Sequence, residues 1–407
     1  MKFKINPEFL PLLALSTCLF LPSNYYAFSL ALIVVIDGLI FGLTFTLPSK
    51  FRLISSTYVI YVVYSFAALL FYLSTSGSFL INQLDNDSFL KAVIYPSLIL
   101  APIFLGLRFI SGIQALEAKE VYKIRFKILN IFFFSSAIAL LDVFNLLPFE
   151  LHVFPANIVL PFAIVNRNLG SSTMDPSVYT FSLLIVSLLW MRTEKPHFIT
   201  ALQLFVIQFS SITCFSKPLL LLNVYALVSY LMWLVSGKFT KSFRRFLVFL
   251  IASTIFCIFF VALFTVTNYL YNYVGVDLQY SLGSRAEKWA YLLDQFQSFH
   301  FFTGIGFKAP ELITGWGAHS GFVQPLIEAG AFGVFLSLII FYSCLRIFKN
   351  SFVVKTDFLM VSISLFFVSY GSEILMSRLF VYSIFLVLPA FSFSLHSSAP
   401  AVKQFKY

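Results

Sequence analysis

Charge is scarce in this chain. Only 11% of its 407 residues are Asp, Glu, Lys or Arg, against 59% hydrophobic. With a mean hydropathy of +0.91, that balance excludes an ordinary soluble domain. Cysteine is scarce too. The four (Cys18, Cys214, Cys257 and Cys344) lie in or beside apolar runs with no paired spacing. They read as small core residues, neither disulfides nor metal ligands. No Gly-rich phosphate loop, dinucleotide fingerprint or metal-spaced cluster of His, Cys and Asp occurs. A site here has neither an ATP motif nor an evident metal to draw on, and no cofactor is expected. Nor do five like charges stand together, so the formal net charge of +10 does not point to nucleic acid. Internal repeats and low-complexity stretches are also missing.

What the chain has instead is apolar runs of bilayer length, the clearest being 218–236 and 246–268. Backbone in lipid must satisfy its own hydrogen bonds, so such runs are helices. Twelve spans are expected, at roughly 8–22, 25–47, 53–74, 89–107, 128–147, 176–191, 198–214, 218–236, 246–267, 321–345, 357–374 and 379–395. The fold class is therefore an all-α polytopic membrane bundle of about 12 helices, one integral membrane domain over 1–407. The first run follows Lys2 and Lys4 without a small-residue cleavage site, which reads as an uncleaved first helix. Placing both termini in the cytoplasm puts 20 of the 27 basic residues on that side, Arg108, Arg125 and Arg192 among them. Phenylalanine is abundant (53 residues), and much of it is expected to be lipid-facing bulk.

Seven cations fall on the outer side: Lys91, Arg167, Lys217, Arg285, Lys288, Lys308 and Arg378. Topology gives no reason for positive charge there, whereas binding an anion would. Two outer loops are long, 148–175 and 268–320, the second a large helical loop between spans nine and ten that carries most of the chemistry-bearing residues. The inner segment 108–127 is charged and amphipathic, and an interfacial helix is expected there.

In the first loop, Arg167 precedes Ser171-Ser172-Thr173-Met174-Asp175-Pro176. A capping residue before proline predicts a helix start, its positive dipole end beside Arg167: an anion seat, or an ordinary cap with a snorkelling arginine. In the second loop, apolar residues at 289, 292, 293, 296 and 299–300 mark one helical face, and Arg285 lies four residues before Trp289 on it. Lys288 stands three positions after Arg285. Two cations beside a tryptophan suit a lipid-linked phosphate, or else anchor an interfacial helix. His319 directly precedes span ten and can accept a proton from a hydroxyl, though a lone histidine can equally be structural. Glu328 lies about two and a half turns into that span. Buried carboxylates in membrane helices are functional or paired, and the alternative is a polar tie to a neighbouring helix. Lys217 sits in a tight outer turn that can face the same space. Asp37, Asp142, Glu373 and Arg378 receive no role, beyond a pairing of Glu373 with Arg378 across the last outer turn.

The order of these pieces resembles the superfamily of O-antigen polymerases and O-antigen ligases. The matching residues are R-N-L-G…D-P (Arg167, Gly170, Asp175, Pro176), F-S-K (Ser216, Lys217) and S-R-x-x-x-W (Ser284, Arg285, Trp289). G-I-G-F (Gly304 to Phe307) and H-S-x7-E-x-G-x-x-G (His319, Ser320, Glu328, Gly330, Gly333) complete them. The stretch covered is about 160–335. Lys217 and Ser177 stand where family members often carry arginine and asparagine.

The resemblance implies a bacterial inner-membrane protein with a periplasmic active site. Its implied substrate is an oligosaccharide on undecaprenyl diphosphate, transferred without metal and with inversion. A chain-length regulator protein enters as a partner by the same route. The diphosphate carries the activation, so the site must supply positive charge as the glycosidic bond breaks. Arg285 and Arg167 take that role in this reading, with Lys217 or Lys288 assisting. His319 orients or deprotonates the acceptor hydroxyl, and Glu328 supports it. Polymerase is the first reading, ligase to lipid A core the second. A transporter or flippase predicts charges deep in the spans and short outer loops, the reverse of this pattern. A structural scaffold predicts that Arg285 and His319 are dispensable.

Overall fold

The structure is a computed structural model that describes residues 8–20, 23–42, 49–75, 86–114, 116–143, 157–160, 163–166, 176–214, 216–235, 289–294, 299–307, 320–372 and 374–392. Eleven helices organise them: α1 (Phe9–Phe20), α2 (Ser23–Phe41), α3 (Ser49–Thr75), α4 (Asn86–Ile113), α5 (Ala118–Val143), α6 (Pro176–Thr193), α7 (Phe198–Thr213), α8 (Leu220–Leu234), α9 (Val323–Ser351), α10 (Lys355–Gly371) and α11 (Arg378–Ser392). Each overlaps one of the twelve expected spans, and the remaining one, 246–267, lies outside the described residues. The first long loop contributes a small antiparallel ribbon, β1 (Asn157–Leu160) paired with β2 (Ala163–Asn166).

Four of the helices contain segments long and apolar enough to cross a bilayer: Ser49–Tyr72, Pro96–Ile113, Ala118–Leu141 and Val323–Ser351. Several shorter apolar helices accompany them. The surface is apolar while ionisable groups are inside: Phe28, Leu39 and Phe198 are 75%, 81% and 81% exposed, whereas Asp37, Arg108 and Asp357 are buried. That inversion of the soluble pattern marks a helical membrane protein.

The chain divides into two compact units, formed by 1–115, 282–350 and 365–386, and by 116–281, 351–364 and 387–407, with α10 and α11 each contributing to both. In the first, α2 and α4 are joined by a buried ion pair, Arg108 Nε to Asp37 Oδ2 at 3.3 Å. Arg108 also donates to the Gly42 carbonyl just beyond the end of α2, and its guanidinium lies over the rings of Phe41 and Phe104. Tyr58 donates to the Leu375 carbonyl (2.6 Å), and the hydroxyls of Tyr26 and Tyr382 meet at 3.2 Å. Arg378 stacks on the Tyr26 ring, 4.4 Å from its centroid. The Glu373 partner expected for it lies outside the described residues.

In the second unit α6 is the central helix, with every residue from 178 to 191 buried. A helix apolar all round has no solvent face and must be enclosed. At its end Arg192 forms a two-point ion pair with Asp357, Nε to Oδ2 at 2.7 Å and Nη2 to Oδ1 at 2.9 Å, and Tyr225 donates to Oδ1 as well. Arg125 of α5 caps the end of α11 by donating to the Ala390 carbonyl (2.9 Å), and it pairs with Glu194 at 3.0 Å.

These contacts correct the expectation for 108–127. No separate interfacial helix forms there, because α4 runs on to Ile113 and α5 starts at Ala118. The two arginines of the segment, Arg108 and Arg125, are buried, 8% and 5% exposed, each against partners distant in sequence. A charge paired across helices can stay inside the bundle instead of snorkelling to its edge.

Candidate functional site

The motif G-I-G-F folds onto a break in α9. The helix starts at Val323, and Ser320 caps it, its Oγ accepting from the amides of Phe322 and Val323 at 3.3 Å each. Helical geometry fails at Ala329 (φ −137°, ψ 17°) and Gly330 (φ 63°, ψ −157°). At the break, the carbonyls of Ile327 and Glu328 accept hydrogen bonds from the amides of Ile305 (2.8 Å) and Gly306 (3.0 Å). The next amide, Phe307, donates to the Ser65 carbonyl of α3 at 2.9 Å. Three successive amides of the motif thus satisfy backbone acceptors that lipid could not.

Glycine is required on both sides of this contact. Gly304 has φ +72°, and a Cβ there would lie 2.4 Å from the Ala329 nitrogen and the Glu328 carbonyl. Gly330 has φ +63°, and its Cβ would lie 2.4 Å from the Phe302 oxygen. The loop and the helix approach backbone to backbone, in a conformation that L side chains rarely adopt.

Glu328 is held at the same place. Its side chain is buried at 2% exposure, Oε2 accepting from the Tyr61 hydroxyl and Oε1 from the Gln324 amide, each at 2.6 Å. Both are short charge-assisted bonds that fix the carboxylate's orientation. The residue stands less deep than the sequence suggested: α9 begins at Val323, so Glu328 is about a turn and a half along it.

Beside it lies a small apolar core of Leu292, Ile305 and Ile327, with Tyr72, Trp289 and Val323 packed against it. Trp289 opens a helical turn over 289–294 and meets Tyr370 edge-on, ring centroids 5.9 Å apart. Leu292 faces inward as expected, but Leu293 is 41% exposed and does not join the buried face. Position 296 of that face and Arg285 before it lie outside the described residues. His300, in the short helix His300–Thr303, is buried between Tyr72 and Phe299, and that burial lowers the pKa of its imidazole.

Of the predicted site residues, the structure brings Glu328 together with the G-I-G-F loop. Arg167, Arg285, Lys288 and His319 lie outside the described residues. The backbone of Lys217 opens the short 3-10 helix Lys217–Leu219, in the tight turn expected between α7 and α8. Helix α6 opens at Pro176, the proline predicted at the first helical position. Sequence reasoning missed Gln324 and Tyr61. Gln324 was within reach, since it precedes Glu328 by four positions on one helix face. Tyr61, in α3, had no local signal at all. Among the described residues, no group of three or more His, Cys, Asp or Glu side chains could hold a metal ion. The three described cysteines, Cys18, Cys214 and Cys344, are buried and form no disulfide, matching their reading as core residues. No protein-family model matches this chain, and no curated protein matches it.

Proposed function

We propose that this membrane protein is a metal-independent glycosyltransferase that polymerises lipid-linked oligosaccharide repeats. It moves a growing glycan from undecaprenyl diphosphate onto the next lipid-linked unit, in O-antigen or related surface polysaccharide synthesis. In this reading both termini are cytoplasmic, the membrane is the bacterial inner membrane, and the site faces the periplasm. Arg167 and Arg285, with Lys217 and Lys288, take up the negative charge of the departing diphosphate. His319 orients the acceptor hydroxyl and accepts its proton. Glu328 acts from behind, through the polar ties to Tyr61 and Gln324.

One observation carries the reading. Two pieces of the motif string, Gly304 to Phe307 and the stretch around Glu328 to Gly330, lie some twenty residues apart in sequence and pack on each other, the amides of Ile305 and Gly306 donating to the carbonyls of Ile327 and Glu328. A string assembled by chance has no reason to converge. His319 lies on the chain between these stretches, one residue before the helix cap at Ser320.

Arg285→Ala and His319→Ala test the proposal in a deletion strain, with surface polysaccharide resolved as a gel ladder and protein level read by immunoblot. Both variants are expected to abolish the ladder at normal protein level. An intact ladder in either overturns the assignment. Glycan length on the carrier lipid separates polymerase from ligase: deletion should remove long chains from the carrier, and their accumulation there would make the chain a ligase.

A further inference from the structure

Along α5 the surface residues form one stripe whose chemistry changes with depth. Lys119, Lys123 and Lys127 come first, all exposed. The half-buried Asn130 follows, and then Phe134, Ile138 and Leu141, exposed again. At about 100° per residue, these positions fall within an arc of roughly 100°. The other side of the same first turns is buried, with Val121, Ile124, Arg125 and Ile128. Arg125 there is engaged by Glu194 and by the end of α11. Asn130 ties the stripe to the neighbouring helix, its Oδ1 accepting from the Gln203 amide of α7 at 2.6 Å. That bond does not use the Nδ2 hydrogens of Asn130.

Membrane topology asks for cations at one end of a span, but not for three of them on one face. Lysines four positions apart repel each other, so the row costs stability unless an anion joins it. The acidic residues of the segment, Glu117 and Glu120, stand at the very start of the helix, where its dipole favours them. Glu120 accepts there from the Glu117 amide at 3.2 Å. Positive charge is therefore in excess further along, at Lys123 and Lys127. Asn130 stands about 4.5 Å beyond Lys127 along the axis, and Leu141 about 16 Å beyond Asn130. Charge, amide and hydrocarbon succeed one another on a single track.

We infer that this stripe is a binding site for one anionic phospholipid of the surrounding bilayer. Its phosphate lies on Lys123 and Lys127, its ester region at Asn130 and an acyl chain along Phe134, Ile138 and Leu141. The order of the chemistries selects the ligand, because a phospholipid presents phosphate, ester and hydrocarbon in that sequence. Ester carbonyls only accept hydrogen bonds, and the Nδ2 of Asn130 donates them. The lysine stems lie along the apolar surface while their ammonium groups reach the phosphate. A soluble acidic partner would meet the lysines and leave the apolar continuation unused. A zwitterionic lipid would bring its own cation to the row. The inference rests on α5 and α7 and not on the transfer reaction proposed above.

Native mass spectrometry of the full-length protein released from detergent tests it. Phosphatidylglycerol and phosphatidylcholine with the same acyl chains are offered in equal amounts. The wild-type protein is expected to retain phosphatidylglycerol in preference. Lys123→Gln with Lys127→Gln should reduce those adducts about fivefold or more and leave phosphatidylcholine adducts unchanged. Lys127→Gln alone should give a smaller loss, and it carries the test if the double variant does not fold. Arg346→Gln with Lys349→Gln removes the same charge from exposed positions near the end of α9 and should leave the preference intact. Equal retention of both lipids by the wild type overturns the inference, as does a lysine variant that retains phosphatidylglycerol like the wild type. An equal loss in the α9 variant would also sink it, by assigning the preference to net charge and not to this stripe.

Discussion

Tyr61 donates its hydroxyl hydrogen to Oε2 of Glu328 across 2.6 Å, although 267 positions separate the two in sequence. With Gln324 on the other oxygen, this bond turns a buried carboxylate into a tie between α3 and α9. The tie sits beside the loop of Gly304 to Phe307, so the orientation of Glu328 and the seating of that loop are one structural event. Tyr61→Phe removes the hydroxyl and keeps the ring. It should destabilise the protein by about 1–3 kcal/mol, the cost of a buried acceptor left short. Thermal unfolding in detergent reads this. In a double-mutant cycle with Glu328→Gln the two effects should be non-additive, because they report one bond.

Gly330→Ala and Gly304→Ala should each prevent accumulation of folded protein. Each combines a left-handed backbone with a Cβ 2.4 Å from a backbone atom of the facing segment. No rotamer change relieves a clash with backbone, and strain of a few kcal/mol adds to it. Size-exclusion profiles of the detergent-extracted variants are the measurement. A monodisperse peak at wild-type yield would show that the approach is looser than described.

Removing one partner of the Arg192–Asp357 pair should cost about 3–5 kcal/mol, because the Asp357 carboxyl is fully enclosed and would lose its two-point partner. Arg192→Ala is the direct variant. Arg192→Lys should fall between it and wild type, since a lysine cannot reproduce the two-point contact. Adding Asp357→Asn to Arg192→Ala should recover part of the loss, which melting curves of the three variants will show.

His300 makes stability acid-sensitive. Burial holds its folded pKa below the ordinary 6.5, so the unfolded chain takes up the proton first as pH falls. More protons bound in the unfolded state means that stability drops on acidification, beginning near pH 6.5 and levelling off once pH passes below the folded value. The apparent melting temperature should fall across that window in wild type and fall less in His300→Gln.

Much of the helical layout could be read directly, and the reasons are physical. Runs such as 53–74, which is uncharged, and 321–345, which carries only Glu328, are long and closed by loop charges, so their bounds needed only bilayer arithmetic. The helix start at Pro176 and the tight turn at Ser216–Lys217 followed from local backbone rules. The polar partners were another matter. Asp37 was visible as an intramembrane carboxylate, but nothing near it named Arg108, 71 positions away. Arg108 and Arg125 looked like loop cations because sequence records charge and not where a guanidinium turns. The break in α9 was not legible: Gly330 and Gly333 entered as members of a motif, whereas the helix stops being helical at Ala329 and Gly330. A kink made by one alanine and one glycine leaves no proline to announce it.

The broken helix also has a consequence for how the chain is made. Ribosomes release residues 305 and 306 before residues 327 and 328, so the amides emerge ahead of the carbonyls they will meet. Tyr61 has emerged long before either. A newly inserted α9 therefore finds its missing partners already delivered, and the most exposed moment of its backbone in lipid is kept brief by nothing more than the order of translation.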